Sequence, residues 1–386
     1  MYDVEQLRRD EFPHSAELTY LNHAGISPLP QRSKREVQYA AEQLATNPNN
    51  FFGQYAMPAL EALNKSIARY INAVSATEIV ATTTTSAALN AVAQAIVWQP
   101  GDNILFADIE FPSNAYPWMS LVRDGVESRR VPADNGGLTL RRVEQYADER
   151  TRAVAVSAIQ FFTGQKADLA AIGRFCRERD ILFIVDAIQA IGHMVIDVQA
   201  MNIDVLATGG MKSLLALPGA GFLYVREAVA EAARPRLIHG NATVDYLHWL
   251  AYDLTPAPGA ARFTGGTPNL PGMLSVASSL SLLTELGPEH IDAHTTALTR
   301  YAADCLTREG YEVITPLDAA GPIVTFRSRY DAETTDRLLA HLNDRRVVVC
   351  KHLDAGTGVY IRSSFHCYNV PEEIDRLVDG LRSFVS

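Results

Sequence analysis

Between Ile181 and Val225 the chain alternates short apolar runs with turn residues: ILFIVDAIQAIGHMVIDVQAMNIDVLATGGMKSLLALPGAGFLYV. Ile181–Val185 is unbroken apolar and ends in Asp186. Ile203–Ala207 is a second run, interrupted by Asp204 and followed by Thr208, two glycines, Met211 and Lys212. Phe222–Val225 is a third, entered through Pro218 and Gly219. Runs this short, bounded by turn residues, predict three strands joined by crossovers and buried on both faces of a parallel sheet. Polar groups just beyond the carboxyl ends of such strands face the ligand crevice. Asp186, Gln189 and Lys212 are thereby expected in one place.

The rest of the chain carries further signals. A helical period runs over 31–72 apart from a break at NPNNFFG, and a β-rich stretch turns into an Ala-rich helix at about Ala87. Strands are predicted at Asn103–Ala107 and Arg152–Ile159. Residues 227–262 read as a helix and a long loop carrying Tyr246, His248, Trp249 and Tyr252. From about Leu283 the pattern predicts a helix at 288–308, strands near 311–316 and 322–328, a helix at 331–345, and strands at 346–350 and 358–363. Pro371, with Glu372 and Glu373 behind it, opens the last helix. The expectation is an α/β protein. A large domain over 20–282 holds a mostly parallel, mixed sheet, and a small α+β domain is built from both chain ends, 1–19 and 283–386.

Composition narrows the function class. With 386 residues the chain has room for two cores, and 47% hydrophobic with 20% charged residues is ordinary for a globular enzyme. A net charge of −10 with no basic run argues against nucleic acid or an anionic membrane as a partner. The opening MYDVEQLRRDEF is charged from its third residue, unlike a signal peptide, and no apolar run reaches membrane-spanning length. Cys176, Cys305, Cys350 and Cys367 show neither metal nor disulfide spacing, so a cytoplasmic protein with free thiols is expected. His290 and His294 lack a third ligand, so no metal is expected. No G-x-G-x-x-G follows a strand, which removes the dinucleotide reading.

An acid, an amide and a lysine converging at strand ends suit pyridoxal 5'-phosphate (PLP). The lysine amine holds its aldehyde and later moves the substrate α-proton, while a buried carboxylate keeps the pyridine nitrogen protonated. The amide is placed to bond the phenolic oxygen. On spacing alone, the pattern favours Asp186 as a helix cap, Gln189 as a solvated amide and Lys212 as a surface lysine. Hydroxyls ahead of the Ala-rich helix are a ready phosphate site or simple N-capping by Ser86.

Five ordered motifs decide between these. The block D-x-x-Q-A through Lys212 to GAGFLYV, together with YLNHAGISPLP, EFPSNAYPW, FTGGTPNLPG and IRSSFHCYNVPEEIDRLV, resembles the class V (NifS-like) aminotransferase family of fold-type I PLP enzymes from about Tyr20 to about Leu381. The resemblance implies Lys212 as the catalytic, cofactor-holding lysine, with Thr85, Ser86, Phe111, Asp186, Gln189, Thr208 and Thr267 at the cofactor. It implies Asn22, His23 and Arg362 at an amino-acid substrate, Arg362 holding its α-carboxylate. Thr267 would reach the neighbouring subunit's site, so a homodimer is expected.

The chain departs from the family pattern at several points. Phe111 stands where a histidine often stacks on the ring, Ala158 where an asparagine is usual, and Gly209 and Met211 replace a serine and a histidine. Gln160 is a candidate for the space left by that asparagine, and Thr208 for the missing hydroxyl. Cys350 lies in a predicted strand rather than a mobile loop, which disfavours a persulfide-forming desulfurase. The resemblance favours an isopenicillin-N-epimerase-like or C–S lyase branch. β-Elimination from a cysteine-derived amino acid is the leading expectation, followed by transamination, epimerisation and a non-catalytic binding protein.

Overall fold

The computed structural model describes residues 2–245 and 247–385. At its centre lie seven strands: β1 (Ile79–Thr82), β2 (Asn103–Ala107), β3 (Glu127–Val131), β4 (Thr151–Ser157), β5 (Leu182–Asp186), β6 (Val205–Gly209) and β7 (Gly221–Val225). They form one sheet in the order β1-β7-β6-β5-β4-β2-β3. All neighbours are parallel except β7, which runs antiparallel to both β1 and β6. Every position of β2, β6 and β7 is buried. Side chains alternate between two cores, as the two-residue period of a strand requires. Leu105, Val154, Phe183, Val185, Leu206 and Phe222 pack on one face, and Ile104, Phe106, Ala155, Ile184, Val205 and Leu223 on the other.

The second of the two expected crossovers is absent. After β6 the loop 210–220, which carries Lys212, turns the chain straight back into β7. Gly209 and Gly221 pair at the turn, and a Cβ on Gly221 would stand 2.2 Å from the carbonyl oxygen of Thr208. Only glycine permits that approach.

A three-stranded antiparallel sheet, Cys350–Leu353, Val359–Ser364 and Ile323–Arg327, packs with helices Pro288–Arg308, Ala332–Asp344 and Pro371–Ser383 around Leu298, Phe326, Leu342, Ile361 and Leu377. The N-terminal arm joins this part: Thr19–Tyr20 pairs with Val347–Val348, and the Tyr2 hydroxyl donates to the Cys367 carbonyl at 2.9 Å. The expected strand near 311–316 is reduced to one bridge, Val313 with Phe326. The helical run breaks at Asn47 alone, and the rest of NPNNFFG is helical. Asn47 ends one helix and caps the next through Asn50, and a π-helical turn, Phe51–Ala56, leads into Met57–Tyr70. Among the described residues, no helix is long and apolar enough to cross a membrane.

Candidate active site

Lys212 and Asp186 meet above the carboxyl ends of β5 and β6. Asp186 ends β5, is 3% exposed, and accepts a hydrogen bond from the Ile188 amide at 3.0 Å. Burial pushes its carboxyl up to about 6, opposed by that bond and by the Lys212 cation. Lys212 is 7% exposed, and burial pulls its ammonium down to about 8 against the attraction of Asp186. Both shifts come from withdrawing a charge from water, and both leave the group poised close to neutrality. The loop beneath the lysine is tightly held. Its Met211 carbonyl accepts from the Ser27 amide at 2.8 Å, and its Ser213 carbonyl from His366 Nε2 at 2.9 Å.

The phosphate corner differs in detail from expectation. Thr84, not Ser86, caps the helix Thr85–Ala95, its hydroxyl accepting from the Ala87 amide at 3.0 Å. Ser86 shares a 2.6 Å hydrogen bond with Ser113. Thr85 opens the helix with a buried Oγ1 that has no partner. Thr208 Oγ1 donates to the neighbouring Gly209 carbonyl at 3.2 Å. Gln189 gives one N–H to the Ala24 carbonyl at 3.0 Å, which leaves its second free. Thr267 is exposed and borders a cleft shared with Thr82 and Thr83. Tyr246 of the neighbouring aromatic loop lies outside the described residues, as does the side chain of Trp249.

On the opposite side, Arg362 is 3% exposed and donates through Nη1 to the Phe161 carbonyl at 2.8 Å; its buried Nε has no partner. Burial lowers its pKa to about 10, so it stays a cation at neutral pH. Phe111 is 40% exposed, edge-on to Phe161 at 5.1 Å, with Lys212 Nζ 5.1 Å from its ring centre. Asn22 brings a buried, unpartnered Oδ1.

Two expected groups are placed otherwise. His23 is only 1% exposed and sits edge-on among Tyr20, His366 and Tyr368, with Nδ1 bonded to Ser27 and a buried Nε2 that has no partner, so it belongs to the packed wall rather than to an open loop. Gln160 spends its side chain on backbone, donating to Ile109 and accepting from Phe162 and Thr163. Only its second amide N–H is left uncommitted.

Glu110 carries a role that sequence reading missed. Its carboxyl accepts from the Ser157 amide at 2.9 Å and pairs with the Ser157 hydroxyl at 2.5 Å, while Ser157 lies directly across from Asp186 in the β4–β5 register. Burial raises it to about 7, and the nearby Asp186 charge adds to the rise. The signal was present as the first residue of EFPSN, but its partner lies 47 residues away.

The family model described as aminotransferase class-V matches residues 19–377. The chain belongs to that family. It is 32% identical to a probable cysteine desulfurase of Methanothermobacter thermautotrophicus, across 98% of this chain and 97% of the relative. The solved apo structure of a cysteine desulfurase from Thermococcus onnurineus NA1 superposes with a TM-score of 0.87 at 25% identity, covering 99% and 98% of the two chains. The cystine C–S lyase C-DES, solved with its reaction product cysteine persulfide, shares the fold at TM-score 0.88 and 21% identity, over 97% and 100%.

Class V aminotransferases are PLP enzymes, and the residues here fit that cofactor. Thr85 Oγ1 is an orphaned hydroxyl on a helix N-terminus, where amide donors and the helix dipole favour a phosphate. A Cβ on Gly209 would stand 3.4 Å from it, so a bare backbone keeps that corner open. Asp186 is a dry carboxylate of the kind a pyridinium neutralises, and Lys212 is an amine primed to meet an aldehyde. The protein is a PLP-dependent enzyme.

Proposed function

We propose that the protein is a cytoplasmic PLP-dependent lyase that eliminates the β-sulfur substituent of a cysteine-derived amino acid. The observation that carries the reading is the pair of Lys212, an amine near neutrality, and Arg362, a fixed cation with a free Nε, with Phe111 beside the lysine. Bound at Lys212, PLP supplies the electron sink that acidifies the substrate's α-C–H. The remaining work falls to side chains. Arg362 takes the α-carboxylate by its Nε edge, a planar two-point grip. The Lys212 amine removes the α-proton, and Asp186 holds the proton on the pyridine nitrogen.

Phe111 gives no proton, and burial holds the His23 imidazole neutral. A leaving group that departs readily as an anion suits this site best. A thiolate does so readily, since a thiol has a pKa of about 8.5, whereas an alkoxide does not. The relatives named as cysteine desulfurases and the cystine C–S lyase support sulfur chemistry. Cys350 is held in a strand opposite Arg362, its Sγ 3.5 Å from the Lys351 carbonyl. A thiol fixed in a ladder cannot travel to the substrate, so the sulfur is released rather than carried on the chain. The reading includes a homodimer, with exposed Leu237, Leu247, Leu250 and Leu254 beneath the partner and Thr267 at the partner's phosphate.

The test is to supply PLP-loaded protein with cystine and cysteine S-conjugates, without keto acid. Pyruvate and a sulfur product should appear in equal amounts. Single-turnover bleaching reversed only by a keto acid would replace the lyase with an aminotransferase.

A further inference from the structure

His352 stands in the substrate region, yet neither the family motifs nor the mechanism uses it. It lies on Cys350–Leu353, which pairs antiparallel with Val359–Ser364 so that Cys350 faces Arg362 and His352 faces Tyr360. Residues two apart on a strand share a face. His352 and Arg362 are therefore diagonal neighbours on one side of this sheet, within reach of long side chains.

Both also meet Phe161. Arg362 bonds its carbonyl, and the His352 ring packs edge-on to its ring at 5.9 Å and to Phe162 at 6.1 Å. Phe161 in turn touches Phe111, which lies under Lys212. The wall from Lys212 to His352 is continuous. Within it, His352 Nε2 is shut off from solvent and has no hydrogen-bond partner, like the Nε of Arg362. A buried polar atom without a partner costs stability, and two of them on diagonal neighbours of one sheet face mark a place where a ligand completes the bonding.

We infer that His352 is a second ligand of the substrate α-carboxylate, its neutral imidazole donating Nε2–H to the oxygen that Arg362 does not fully satisfy. Burial first, then the Arg362 and Lys212 cations, lower its pKa to about 4, so the ring is neutral under working conditions. A neutral donor can bond a carboxylate without competing with Arg362 for charge. The other polar groups on this face have partners: the Cys350 thiol is directed to the Lys351 carbonyl, the Tyr360 hydroxyl to Asp354, the Thr325 hydroxyl to the Phe162 carbonyl and Arg327 to Glu312, while the Ser364 hydroxyl accepts from the Ala24 amide.

This inference rests on the amino-acid reading above, and one titration separates the two. PLP-loaded wild type and H352A are titrated with L-alanine, which has no β-leaving group, and with ethylamine, which has no carboxylate, following the cofactor absorbance. H352A should weaken L-alanine binding about tenfold or more, as loss of a hydrogen bond to a charged group does. Ethylamine binding should be unchanged, and H352Q should recover much of the alanine affinity. Equal weakening of both ligands would make His352 a structural residue and overturn the inference, as would unchanged alanine affinity. A wild-type protein blind to L-alanine would instead overturn the amino-acid reading itself, and His352's role with it.

Discussion

The Nη1 of Arg362 donates to the carbonyl oxygen of Phe161, 2.8 Å away, and this bond fixes which edge of the guanidinium is free. Held at Nη1, the group offers its Nε side to the pocket. Lysine has no such fork, so it can keep either the Phe161 bond or the substrate bond. R362K should raise the KM for the amino acid by roughly 30- to 100-fold, about 2–3 kcal/mol, with a smaller effect on kcat. Steady-state pyruvate release checks this; an unchanged KM would remove Arg362 from the carboxylate.

Asp186 carries a stability cost in the cofactor-free protein. Its folded pKa of about 6 lies above the 3.8 of an unburied aspartate, so folding favours its protonated form. That contribution is complete below about pH 4 and is lost as pH rises through 6. Cofactor-free D186N should therefore be more stable than wild type at pH 8 by up to about 3 kcal/mol, a difference that disappears near pH 4. Urea titrations at the two pH values measure it. The same substitution should cripple turnover, because an amide cannot hold the pyridinium.

Loading should follow the charge of Lys212. An aldehyde couples to a neutral amine, and burial brings this ammonium down to about 8 from its ordinary 10.5. The rate of PLP uptake, followed by absorbance, should climb with pH and level off above about 8. A rate still climbing towards pH 10 would mean that the lysine is solvated.

Two hydroxyls expected to serve the phosphate should separate on mutation. Thr85 Oγ1 is free, whereas Thr208 Oγ1 is engaged with Gly209. T85A should weaken PLP binding by about 1–2 kcal/mol, roughly 5- to 30-fold, and T208A by much less. Equilibrium dialysis of PLP against each variant decides it.

Much of this site is legible in the chain because it depends on local order. The apolar run ending in Asp186 dictates a buried strand with a carboxylate at its tip, and the glycines around Lys212 dictate a turn. Direction is less legible. Phe222–Val225 reads like its parallel neighbours, and only the Gly209–Gly221 contact shows that it runs the other way. Helix capping by Thr84 instead of Ser86 depends on which hydroxyl meets the Ala87 amide, a matter of one residue in a run of four threonines and a serine. Gln160, Glu110 and His352 could not be placed from pattern at all. Gln160 bonds its own loop and the distant Ile109 carbonyl, Glu110 finds its partner on a different strand, and His352 gains its neighbours from strand register and from Phe161, far off in sequence. His23 was visible as a residue near the site but not as one enclosed by Tyr20, His366 and Tyr368.

The account stands or falls on Lys212. The direct measurement is borohydride reduction of the PLP-loaded protein, followed by peptide mapping by mass spectrometry. A pyridoxyl-phosphate adduct on Lys212 alone, absent from K212A, is the predicted result. An adduct on another lysine, or none on a protein that still turns over its substrate, would contradict it.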